Sequence, residues 1–116
     1  MDEVSISSET LISELKNGKI KNYTISPEQF GLKKVDIQHL QILEPEQNVK
    51  VALKVLEVED GPVRDIVLLN SACAIYAADG ADSIAEALIM AKTSLTKGKA
   101  KEKLNLLIKY TNEQHT

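Results

Sequence analysis

From Ile66 to Ala78 the chain is apolar nearly all the way round a helix: Ile66, Val67, Leu68, Leu69, Ala72, Cys73, Ala74, Ile75, Tyr76 and Ala77 leave no polar half. A helix lying on a protein surface shows one. This segment should therefore be buried centrally or wedged between domains. Gly61-Pro62 opens it, with Pro at a first-turn position where its missing N–H is no loss, and Asp79-Gly80 closes it. No apolar run reaches the ~20 residues of a membrane span, so no membrane role is expected. The acidic start of the chain does not read as a signal peptide.

The flanking segments divide into a β-rich start and a helical remainder. Asn17-Gly18 is a strong hairpin signal, because both residues tolerate positive φ. It joins strands over Thr10 to Leu15 and Lys19 to Ile25, and a two-residue turn sets Lys16 opposite Lys19, Leu15 opposite Ile20, Glu14 opposite Lys21 and Ile12 opposite Tyr23. One face then carries Leu11, Leu15 and Ile20, and the other Ile12, Tyr23 and Ile25. Since both are partly apolar, the hairpin is expected to be covered on both sides at its open end, with the Lys16–Lys19 pair exposed at the turn. Val4 and Ile6 suggest a short preceding strand.

After it, Ser26-Pro27-Glu28-Gln29 forms a capping-box pattern that Gly31 ends after one turn. Asp36 can cap a second short helix reaching Gln41. Pro45 opens a helix to about Val58, with Val49, Leu53 and Leu56 spaced four and three apart. Ser83 with Glu86 gives another capping box, followed by a stripe of Ile84, Leu88, Ala91 and Leu95 that Gly98 ends. A last helix from Ala100 to about Tyr110 aligns Leu104, Leu107 and Ile108, and the tail Asn112 to Thr116 is expected to fray. The whole reads as one unit, 1–116, with strands over 1–25 and helices over 26–116. Its class is α/β, or α+β as an isolated piece.

Chemistry-bearing residues are few. Lone Cys73 excludes an internal disulfide and a cysteine zinc cluster, and its apolar surroundings suggest a buried small hydrophobe rather than a nucleophile. A reducing, cytoplasmic setting is the default. His39 has no companion ligand, His115 falls in the tail, and Ser71 has no base beside it. The glycines are isolated, so no phosphate-cradling loop is present. The net charge is −3 and Arg64 is the only arginine, which argues against nucleic acid, whose binders concentrate positive charge and use Arg for bidentate contacts. Lys97, Lys99, Lys101 and Lys103 read as a solvated face.

Asp2-Glu3 remains. Adjacent carboxylates suit a hard cation such as Mg²⁺, which combines one or two carboxylates with phosphates and waters. On a regular strand neighbours point to opposite faces, so both can serve one site only on a bent segment. The alternative is a solvated acidic pair, the commoner fate of such residues.

Taken in order, Asp2-Glu3-Val4-Ser5, the hairpin Glu14-Leu15-Lys16-Asn17-Gly18-Lys19-Ile20, Ser26-Pro27-Glu28-Gln29-Phe30-Gly31-Leu32, Gly61-Pro62-Val63-Arg64-Asp65-Ile66-Val67-Leu68-Leu69-Asn70 and the closing Gly98-Lys99-Ala100 helix resemble the C-terminal portion of anthranilate phosphoribosyltransferases over essentially the whole chain. A departure falls at Ile42-Leu43-Glu44, where family members often carry a glycine pair. The resemblance implies the α/β domain of the nucleoside phosphorylase and phosphoribosyltransferase fold. It implies transfer of phosphoribosyl from phosphoribosyl pyrophosphate to anthranilate in tryptophan biosynthesis, with Mg²⁺ bound through Asp2 and Glu3. It also implies that the glycine-rich pyrophosphate loop, the other substrate-contacting loops and the N-terminal helical bundle precede this chain. Alone, the chain is then expected to be inactive, to bind Mg²⁺ no better than millimolar, and to be marginally stable or to self-associate. An alternative is a non-catalytic interaction module that pairs with a separate N-terminal chain.

Overall fold

The computed structural model describes residues 2–41 and 44–113, so Met1, Ile42, Leu43 and the stretch 114–116 with His115 lie outside the described residues. A two-stranded antiparallel hairpin, β1 (Thr10–Lys16) and β2 (Lys19–Ile25), precedes four helices. These are α1 (Pro45–Leu56), α2 (Pro62–Ala77), α3 (Ile84–Thr96) and α4 (Lys99–Glu113), and short 3₁₀ turns at Pro27–Phe30 and Ile37–Leu40 link hairpin to helices.

The hairpin register follows from its turn. Asn17 and Gly18 both take positive φ, 52° and 73°, the type I′ requirement. The pairs Lys16–Lys19, Leu15–Ile20, Glu14–Lys21 and Ile12–Tyr23 all form as expected. Covering on both sides does not. Ile25 is buried and Ile12 and Tyr23 are half-buried, whereas Leu11, Leu15 and Ile20 are 74%, 71% and 73% exposed. One hairpin face packs against the helices, and among the described residues nothing covers the other.

The segment before the hairpin is also not a strand. Val4 and Ile6 have no ladder partner; the chain bends at Glu3 and again from Ile6 to Ser8. What holds it is a buried anchor and scattered bonds: Ile6 is fully buried, and its carbonyl accepts from Val35 N–H at 3.0 Å.

α2 takes the central place its apolar girth demands. It packs most extensively on α3 and also meets α1 and the Ile37–Leu40 turn. Leu68, Leu69 and Ala72 of α2 and Ile84, Ala87, Leu88, Ala91 and Leu95 of α3 form the body of the core. The alanines keep the two helices close, since interaxial distance is set by the side chains at the contact. The α3 stripe therefore lies where its spacing put it.

At the end of α2 the left-handed residue is Asp79 (φ 58°), and Gly80 serves a different need. Gly80 N–H donates to Ile75 O at 2.9 Å, and a Cβ there would sit 2.9 Å from Ile75 Cγ2 and 3.0 Å from Ile75 O. α3 starts with Ser83 Oγ accepting from Glu86 N–H, but Glu86 Oε2 reaches back to Asp82 N–H rather than to Ser83, so the capping box is offset by one residue. At the earlier turn, Gln29 Oε1 accepts from Ser26 N–H and Asp36 Oδ1 from Gln38 N–H, as their positions predict.

Two helices leave much of their apolar stripe in solvent. In α1 the buried residue is Val55; Val49 and Leu53 face solvent and Leu56 is half-buried. In α4 Leu104 is half-buried, while Leu107 and Ile108 are exposed, and the helix runs through Asn112 and Glu113 instead of fraying at Asn112. Both stripes are amphipathic, but among the described residues each has only part of a partner.

Candidate functional site

Asp2 and Glu3 are both exposed, on a segment tied down immediately behind them. Val4 N–H donates to Asn70 Oδ1 and Asn70 Nδ2 donates to Val4 O, each at 2.9 Å. Ser5 N–H then donates to Thr10 Oγ1 at 3.0 Å, and the Ser5 and Ser7 hydroxyls lie 2.9 Å apart. The bend at Glu3 removes the strand constraint that would force the two carboxylates apart.

As donors they suit a hard, oxygen-seeking ion, so the residue types fit Mg²⁺. Two carboxylates fill only part of an octahedral shell, and among the described residues no group of three or more His, Cys, Asp or Glu comes together around a metal. The remaining oxygens must come from phosphate or water.

A second constellation, absent from the sequence reading, joins the hairpin to α2. Tyr23 O–H donates to Glu14 Oε1 at 3.1 Å, and the Tyr76 hydroxyl also acts on that carboxylate. Lys16 Nζ lies 5.2 Å from the Tyr76 ring centroid and Lys21 Nζ 5.5 Å from that of Tyr23. The Tyr76 hydroxyl, with help from Tyr23, Lys16 and Lys21, holds the Glu14 carboxyl below its usual range. Desolvation, and then the hydrogen bond to Glu14, push the Tyr23 phenol up to about 12, and Tyr76 rises mainly through the nearby Glu14 carboxylate. The register placed Glu14, Lys21 and Tyr23 on one face; only docking against α2 could add Tyr76.

The other candidates show little chemistry. Cys73 is half-buried rather than buried, and desolvation pushes its thiol up, away from thiolate character. His39 is exposed beside Glu59, Asp60 and Arg64 on the rim of an open cleft. Arg64 pairs with Asp60 and, at 3.2 Å, with Asp65. Ser71 is half-buried. No helix among the described residues is long and apolar enough to cross a membrane.

Residues 1–101 match the glycosyl transferase family, a/b domain. Over 113 residues the chain is 47% identical to the anthranilate phosphoribosyltransferase of Nitrosomonas eutropha, covering 97% of this chain and 33% of that protein. The anthranilate phosphoribosyltransferase of Saccharomyces cerevisiae in complex with 4-fluoroanthranilate superposes with a TM-score of 0.79 at 25% identity, over 90% of this chain and 31% of that one. A variant of the yeast enzyme with Mg bound gives a TM-score of 0.78 at the same identity and coverage. These α/β proteins are what the hairpin and four helices resemble, and the chain spans about a third of the length of the relatives it matches.

Proposed function

The chain belongs to the glycosyl transferase family, a/b domain, and from that membership we propose that it forms the C-terminal portion of an anthranilate phosphoribosyltransferase. The observation that carries this reading is the 47% identity over 97% of the chain to a protein of that name. The proposed reaction joins anthranilate to the ribose C1 of phosphoribosyl pyrophosphate and releases pyrophosphate, a step of tryptophan biosynthesis. The single unit 1–116 is then one part of a larger catalytic domain, and the activity belongs to the assembled whole.

In this reading Asp2 and Glu3 hold Mg²⁺, a metal that also accompanies the yeast relative. When bound, that ion offsets the charge of a polyanionic leaving group. The chain's own contribution is to present two carboxylates from a segment fastened to α2 by Asn70 and to the core by Ile6. The residues that grip the sugar, the pyrophosphate and the anthranilate ring belong to the other two-thirds of the family's chain. The bare hairpin face favours a second reading, in which the piece is a non-catalytic module that docks on a separately supplied N-terminal chain.

Anthranilate fluorescence followed with the purified chain, phosphoribosyl pyrophosphate and Mg²⁺ tests the proposal. The expected trace is flat. Adding the missing two-thirds from a relative should start a decay that Asp2→Ala slows. A decay from the chain alone that vanishes on Asp2→Ala would overturn the inactivity of the isolated piece. A mixture that associates but never consumes anthranilate would favour the docking module.

A further inference from the structure

Asn70 is the one amide in the apolar centre of α2, half-buried and separated from Val4 by 66 positions. Its Oδ1 accepts from Val4 N–H, while Nδ2 donates to Val4 O and to Ile66 O, all at 2.9 Å. Both amide hydrogens are thus used, one on the neighbouring segment and one on the helix's own preceding turn. The carboxamide acts towards Val4 as a strand residue would, offering donor and acceptor to the same partner. Reversing its O and N would set N–H against N–H and oxygen against oxygen, so the network itself dictates the orientation. The bond to Ile66 O holds the rotamer, and α2 is the most enclosed helix of the molecule, so Asn70 is a rigid post.

We infer that Asn70 is a positioning residue for the Asp2–Glu3 pair, an inference that rests on the metal reading proposed above. The bond to Val4 N–H holds the peptide plane that leaves Glu3, at the point where the chain bends. The next fastenings, Ser5 N–H to Thr10 Oγ1 and the buried Ile6, begin one residue further from the carboxylates. Without Asn70, Val4 joins the stretch that has to be ordered when an ion binds. Ordering one extra backbone residue weakens binding by about fivefold or more.

The test is a Mn²⁺ titration of the chain followed by paramagnetic broadening of its backbone amides. Mn²⁺ stands in for Mg²⁺ because it accepts the same hard oxygen ligands. Broadening should reach residues 2–4 first, and Asp2→Asn with Glu3→Gln should remove it while Val4 N–H stays slow to exchange. Asn70→Leu should raise the Mn²⁺ needed for half-broadening by about fivefold and speed Val4 exchange, with α3 amides unchanged. Should Leu disturb α3, Asn70→Ala, which adds no bulk, carries the same expectation. Equal Mn²⁺ binding with and without Asn70 would overturn the positioning role and leave the metal reading standing. No broadening at residues 2–4 in the unaltered chain would overturn both.

Discussion

Gly80 and Asn70 show how much a single position can carry beyond its propensity. An Asp-Gly pair after an apolar helix reads as a stop signal, with glycine the natural residue for positive φ. Here Asp79 adopts the left-handed conformation, and Gly80 is required because its Cα passes against the Ile75 carbonyl that its own N–H is bonded to. A Cβ there would meet the Ile75 Cγ2 methyl at 2.9 Å and the Ile75 carbonyl oxygen at 3.0 Å, and the second of these is backbone that no rotamer change can clear. Gly80→Ala should therefore destabilise the chain by about 1–3 kcal/mol, as overpacking does, measured as a lower urea midpoint with unchanged m-value. An unaltered midpoint would mean that the end of α2 shifts freely. Asn70, a polar amide amid apolar neighbours, has to find partners. That the partner is Val4 was not legible, because contacts across such a separation leave no local pattern.

At the scale of elements, the hairpin is held to the helices through one face, and the Glu14–Tyr23–Tyr76 cluster is the polar part of that attachment. Its pH limits follow from opposite shifts. Glu14 has a folded pKa below the ordinary 4.5, so its contribution is present above that value and is lost as pH falls through the lower, folded one. Tyr23 is raised from 10.0 to about 12, so its contribution is complete below 10 and is lost as pH rises towards 12. Hydrogen exchange of the hairpin amides, corrected for intrinsic rate, should be flat between those limits and accelerate beyond each. Tyr76→Phe should blunt the acid-side change, because the Tyr76 hydroxyl is the largest cause of the Glu14 shift. A profile insensitive to Tyr76→Phe would remove the cluster from the attachment. The helices repeat the lesson: α3 buries its whole predicted stripe, while α1 and α4 carry equally regular stripes that remain largely in solvent. Periodicity identifies the apolar side of a helix and says nothing of whether a neighbour covers it.

The whole molecule exposes more surface than a self-sufficient chain of its mass. Its accessible area is 8363 Å², against about 6,300 Å² for a compact monomer of 12.8 kDa. Its radius of gyration is 15.9 Å, where ~13 Å is usual for this length. The excess, about 2,000 Å², is more than the ~800 Å² that each partner buries in an interface of standard size. Exposed apolar side chains include Leu11, Leu15 and Ile20 on the hairpin and Leu107, Ile108 and Tyr110 on α4. Apolar patches of this kind favour association. Sedimentation velocity should show mass rising with concentration in the micromolar range, and Leu15→Lys with Ile20→Lys should shift the chain towards monomer without loss of helical signal. A monomer at every concentration, with sharp two-state unfolding, would contradict this.

Local order was within reach of the amino-acid sequence alone. The Asn17-Gly18 turn and its register, the caps at Asp36 and Ser83, the Pro-opened helices and the central place of α2 all depend on residues within a few positions of one another, or on the apolar girth of one helix. The family resemblance was legible too, in the order and spacing of those segments. Tertiary structure alone decided which apolar faces find partners, that the segment before the hairpin is fastened by the Asn70 amide instead of pairing as a strand, and that Tyr76 meets Glu14. Burial and long-range hydrogen bonds depend on which surfaces meet in space, and a chain whose relatives are about three times as long carries faces patterned for contacts that its own helices do not supply.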